Sequence, residues 1–191
     1  MATAGAVIEG ERPGLLTRLN STWHKPALIA FAWLTVAHWA EHLAQAFQVW
    51  VLHRPRPESR GVLGQAIPAL VTSELLHYGY ALVMLVGLVM LLPAFRGRSR
   101  TIWLVAVGIQ VWHHLEHLLL LGQAQFHHNL FGGTVPTSVL QAVFPQSRIE
   151  IHLFYNAVVT VPMLAAMYFH RYPPRDEAGL VVLCRCRAMA G

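Results

Sequence analysis

The chain has 191 residues, 55% of them hydrophobic and only 12% charged, with a formal net charge of +5. This composition excludes an ordinary soluble domain and points to the bilayer. Lys and Arg are scattered through loops and tails instead of forming one stripe, which argues against a nucleic-acid partner, and two cysteines give no disulfide framework.

Positions 1–25 read as a polar arm, kept as mature sequence because no hydrophobic segment ending in a cleavage site occurs before Lys25. Within it, Leu15 to Leu19 suit a short interfacial segment. Four apolar runs follow: Pro26 to Leu52, Ile67 to Leu92, Thr101 to Phe126 and Ile149 to Tyr172. Each is near or above the ~20 residues a bilayer requires. Pro26 suits a first helical turn, where its missing N–H is not needed, and Pro173 and Pro174 end the last run. The expected fold is an all-α integral membrane protein, with four transmembrane helices in an up-down bundle spanning 26–172 and a tail at 173–191.

Ten basic residues fall on one face of this topology (Arg12, Arg18, Lys25, Arg96, Arg98, Arg100, Arg171, Arg175, Arg185, Arg187) and four on the other (Arg54, Arg56, Arg60, Arg148). The positive-inside rule then makes both termini cytoplasmic, most simply in the plasma membrane, and turns the loops His53 to Ala66 and His127 to Arg148 outward. The second loop is long enough to fold over the mouth of the bundle. The Cys-x-Cys pair of the tail, Cys184 and Cys186, could bind a soft metal or carry a palmitoyl chain, but reads first as solvated thiols without a role, and His24 and His170 read as interfacial residues.

Within the first run stands His38-Trp39-Ala40-Glu41-His42, and within the third His113-His114-Leu115-Glu116-His117. Histidines four apart share one helical face and can close on one ion. A constant shift of 75 positions superposes His38 on His113, Glu41 on Glu116, His42 on His117, Gln48 on Gln123, His53 on His128, His77 on His152 and Tyr80 on Tyr155. The pattern predicts a duplicated helical hairpin, about 26–93 and about 101–172, related by a pseudo-two-fold axis along the membrane normal. His53 and His128 read as solvated loop residues. Counted from Leu52 and Ile67, His42 and His77 lie level, ~15 Å below the outer surface.

Each hairpin thus offers three histidines and a glutamate: His38, His42, His77 and Glu41, then His113, His117, His152 and Glu116. Glu74 is a further candidate ligand, with Glu41 and Glu116 expected to orient rings from behind. A carboxylate at the bilayer centre costs ~2.5–3.5 kcal/mol, so three of them need compensation, and structural zinc binding worth ~10 kcal/mol or more shows that an ion can supply it. Imidazole suits Fe, Cu and Zn, and without thiolates at this depth zinc-finger and iron–sulfur sites are excluded.

Paired helices giving three histidines to each of two metals resemble type-3 copper proteins. Repeated His-x-x-x-His boxes resemble the membrane di-iron desaturases and hydroxylases, and His-x-x-Glu-His resembles the inverted zinc-peptidase motif. These likenesses cover a few residues each, and no catalytic role is carried over from them.

The expected function is that of a membrane metalloprotein with two metal ions per chain, redox-active in the manner of an oxygenase or oxidase. Tyr80 and Tyr155 are candidate proton or electron donors, and the partners are the lipid bilayer, a small or lipid-soluble substrate and a redox partner. The alternatives are a b-type cytochrome subunit, with haem held by His42 with His117 and His77 with His152, and a metal or proton transport protein. The apolar stretches Ala81 to Leu92 and Ala157 to Met167 argue against a continuous path.

Overall fold

A short helix, α1 (Leu15–Leu19), turns through Asn20 into the first long helix, α2 (His24–Trp50). This computed structural model describes residues 13–177, 179, 180, 184 and 186, and among them the chain is all-helical, with no strand. The Asn20 side chain fixes the turn: its amide donates to the Met90 carbonyl at 2.9 Å, and its oxygen accepts from the Ala94 amide at 3.2 Å. Both ends of the first helical pair are thereby tied together.

The second apolar run is not one helix. Pro68 has no N–H to give and Ile67 leaves the helical conformation, so a single turn before the run, α3 (Leu63–Ala66), is separated from a single turn at its start, α4 (Ala69–Thr72). The long helix α5 begins only at Glu74 and runs to Leu91, because the Ser73 hydroxyl caps it by accepting from the Leu76 amide at 3.3 Å. His77 therefore sits in a first turn, not ten residues along a helix. Its relative His152 is in a first turn too, since α8 spans Arg148–Arg171. Between them run α6 (Gly97–Phe126) and the single turn α7 (Val139–Val143).

α6 packs along both α5 and α8, and α2 closes against α8 and, over a shorter stretch, α5. The end where α2 begins and α8 finishes is filled by Leu28, Phe31, Met84, Leu88, Trp103 and Met163. Trp103 is fully buried and satisfies its indole N–H on the Leu88 carbonyl at 2.8 Å. Gly87 lets α2 come close, because a Cβ there would collide with the Phe31 ring. The outward faces keep large apolar side chains uncovered, among them Ile29, Trp33, Val83, Val86, Leu104 and Val161.

Three helices, Glu74–Ala94, Gly97–Phe126 and Arg148–Arg171, are long and apolar enough to cross a membrane, which suggests membrane insertion. α2, expected as a fourth span, has the length but is not among them. The cause lies in its own sequence, since His38, Glu41, His42, Gln45 and Gln48 dilute its apolar residues.

Candidate functional site

The helix packing brings six histidines of the predicted site into one continuous cluster. α2 carries His38 and His42, one turn apart with ring centroids 4.6 Å from each other; α6 carries His113 and His117 in the same arrangement, also at 4.6 Å. The first turns of α5 and α8 contribute His77 and His152, whose rings lie 5.6 Å apart. His152 is the hub. Its ring also lies 4.9 Å from His42, 5.4 Å from His117 and 6.1 Å from His113, so it touches both halves of the chain.

Hydrogen bonds from behind decide which ring nitrogens face inward. His77 Nδ1 bonds the Ser73 carbonyl at 2.9 Å and His152 Nδ1 the Arg148 carbonyl at 2.7 Å. A carbonyl only accepts, so in both rings the proton sits on Nδ1 and Nε2 keeps its lone pair. His42 Nδ1 is held the same way by Gln45 Oε1 at 2.7 Å. Its Nε2 then faces His38 Nε2 at 3.2 Å, close to the ~3.3 Å that two imidazoles adopt on one tetrahedral ion with bonds of about 2.05 Å. His152 Nε2, His113 Nδ1 and His117 Nδ1 are buried and find no hydrogen-bond partner among the described residues. Unsatisfied buried nitrogens of this kind are uncommon in a folded chain.

Tyr80 stacks on His38 at 3.8 Å and donates to the Leu34 carbonyl, while Tyr155 lies 4.1 Å from His113 and accepts from the Trp112 indole N–H at 2.9 Å. Both candidate tyrosines thus touch the cluster. His114 lies against Tyr78, and His53 and His128 are exposed, apart from the rings.

The three carboxylates are placed differently from the expectation. Glu41 accepts from the Gly64 amide at 2.9 Å and Glu116 from the Leu140 amide at 2.7 Å, so each anchors a loop instead of orienting a ring. The orienting role belongs to Gln45 and the two backbone carbonyls, which sequence reasoning missed. Gln48 and Gln123 repeat the anchoring two turns on: Gln48 binds both the N–H and the C=O of Gly61, and Gln123 both the N–H and the C=O of Thr137. The loop 127–147 is thereby held against α6 at the mouth.

Glu74, expected as a ligand, is instead paired with Arg148, whose Nη2 lies 2.7 Å from Oε2. The guanidinium engages both carboxylate oxygens, leaving the carboxylate committed to a cation already present. A second pair, Arg56 with Glu150 at 2.9 Å, crosses between the halves nearby.

Gly61 carries a positive φ of 77°, and a Cβ there would run into the Glu41 carboxylate. Gly61→Ala is therefore expected to cost about 1–2 kcal/mol from backbone strain, with more from the collision. Thermal unfolding in detergent should show a lowered midpoint, while Gly79→Ala, in open space, should not.

Two cavities open onto the cluster. One of about 270 Å³ is lined by His42, His77 and His152 together with Arg56 and Arg148. The other, about 240 Å³, meets His38, Glu41 and Tyr80 through the apolar walls of Leu34, Leu70 and Leu76.

A second ligand group lies at the opposite end and overturns the reading of the tail. Cys184 and Cys186 are buried, as are His24 and His170, and the ligand atoms of all four lie within 4.8 Å of one another. This group could hold a metal ion. His170 Nε2 is 3.0 Å from Cys184 Sγ, and a hydrogen bond from the Cys186 thiol, opposed by burial but aided by His170, brings the Cys184 thiol down to about 4. Among the described residues no other group of three or more His, Cys, Asp or Glu converges as tightly, the six-histidine cluster included. The sequence signal was the Cys-x-Cys pair itself.

Compared with known proteins, the chain matches no family model, and neither a curated protein nor a solved structure shows significant similarity to it.

Proposed function

We propose that the chain is an integral membrane metalloprotein in which two copies of one helical hairpin build a dinuclear, redox-active iron or copper centre of oxygenase or oxidase type. The observation that carries this reading is the assembly of six imidazoles from four helices, with the lone pairs of His42, His77 and His152 turned inward by bonds at their backs and three nitrogens buried without partners among the described residues. His38, His42 and His77 are the ligands of one ion, and His113, His117 and His152 of the other. A bound ion supplies the redox chemistry; the chain's residues orient the rings, exclude water and balance charge.

The duplication is supported by contacts repeating at the 75-residue shift. His77 bonds Ser73 as His152 bonds Arg148, His38 meets His42 as His113 meets His117, and Tyr80 and Tyr155 lie against equivalent rings. α2 is assigned as a fourth span because its 27 residues suffice for a crossing and its polar positions belong to the site. By the distribution of Lys and Arg both termini are cytoplasmic, and the cavities open outward, in the plasma membrane. The apolar cavity beside His38 and Tyr80 fits oxygen or a small lipid-soluble substrate, with electrons from a separate redox partner.

Haem is disfavoured because the six rings already touch, and a porphyrin would have to part them. A conduit is disfavoured by the packed layer of Leu28, Met84, Leu88, Trp103 and Met163.

Elemental analysis of detergent-purified protein carrying a tag without histidine tests the reading. Two equivalents of iron or copper per chain are expected, lost in the His38→Ala/His113→Ala variant. Protein without either metal, or a Soret band in its visible spectrum, would retire it.

A further inference from the structure

We infer that His24, His170, Cys184 and Cys186 form a closed zinc site that fastens the C-terminal tail across the helix ends, separate from the six-histidine centre. Three stretches far apart in sequence meet here: the first residue of α2, the last turn of α8, and the tail. Their four ligand atoms converge within 4.8 Å, and all four side chains are buried. Both nitrogens of the fully buried His24 ring lack a hydrogen-bond partner among the described residues, so the imidazole has been taken from water with nothing to replace it. An ion is the missing partner.

The donor set selects the metal. Two thiolates and two imidazoles are a recurrent four-coordinate zinc set, with every position taken by protein, which marks a structural site and not a catalytic one. Most iron–sulfur clusters take four cysteines, and a Rieske [2Fe–2S] centre keeps its two cysteines and its two histidines on different irons, whereas here His170 Nε2 and Cys184 Sγ lie 3.0 Å apart, as on one ion. Copper(I) is selected by soft sulfur ligands, which leaves the two histidines unexplained. Two thiolates also cancel the charge of Zn²⁺. The neutral complex can then lie against Phe95, whose ring is 5.6 Å from His24 and 4.7 Å from His170. Arg171 holds the tail in register by donating to the Cys186 carbonyl at 3.0 Å.

The test is metal analysis of the full chain, purified with a tag free of His and Cys, beside Cys184→Ser/Cys186→Ser and His38→Ala/His113→Ala variants. One zinc per chain is expected in the parent and in the histidine variant, falling to less than about a tenth in the cysteine variant. Zinc unchanged in the cysteine variant, or a parent holding copper and no zinc at these thiols, overturns the assignment. The six-histidine centre is judged separately, by the iron or copper lost in the histidine variant.

Thiol alkylation of the unmutated protein needs no variant. Both cysteines should resist iodoacetamide until a zinc chelator is added, and cobalt loaded in place of zinc should give thiolate charge-transfer absorption. Equal labelling with and without chelator contradicts the site.

Discussion

His152→Ala is expected to strip the six-histidine centre of the ion held with His113 and His117 and to loosen the other, where the loss of His38 or His113 should act on one half alone. The reason is its position as hub, with its ring 4.9 Å from His42, 5.6 Å from His77 and 5.4 Å from His117. Removing a residue that merely orients a ligand weakens metal binding about 10–100-fold, and deleting a ligand ring should exceed that range for its own ion, beyond about 100-fold. Metal content after dialysis against a graded chelator series measures this. Retention of both ions at parental affinity would remove His152 from the centre. His53→Ala is the control, since that ring is exposed and outside the cluster.

The second large effect is expected from Arg148→Met. Glu74 has only 12% of its side chain exposed, and the substitution strands its carboxylate beside the rings without a cation. Breaking a fully buried pair costs about 3–5 kcal/mol; Arg148 is 38% exposed, so about 2–3 kcal/mol is the better figure here. The Arg148 carbonyl that holds His152 is retained, which separates the charge effect from ring orientation. Denaturation in mixed micelles should show the loss, and the double variant Arg148→Met/Glu74→Gln should recover most of it. Equal destabilisation of the single and double variants would mean that the guanidinium acts through something other than Glu74.

Period and spacing made the clustering of the six histidines readable in the sequence. His38 with His42 and His113 with His117 are local pairs, four residues apart on one helix, and no tertiary information is needed to see that they share a face. His77 and His152 followed from the 75-residue shift and do join them. Helix boundaries were less legible: the apolar residues from Ile67 to Thr72 hid the break, although Pro68 and the cap at Ser73 were there to mark it. The partner of Glu74 lies 74 residues away, and nothing local distinguishes a carboxylate awaiting an ion from one awaiting a guanidinium. Cys184 and Cys186 were further out of reach, because the composition of a basic tail says nothing about whether it folds back onto His24 and His170.

The ring that joins the two halves belongs to α8, the last long helix among the described residues. Until that helix arrives, His42 and His117 lack the ring that packs against both, and Glu74 lacks Arg148. The pocket is therefore assembled only once translation has passed Arg148 and His152, so the complete ligand set exists only after α8 has joined the earlier helices.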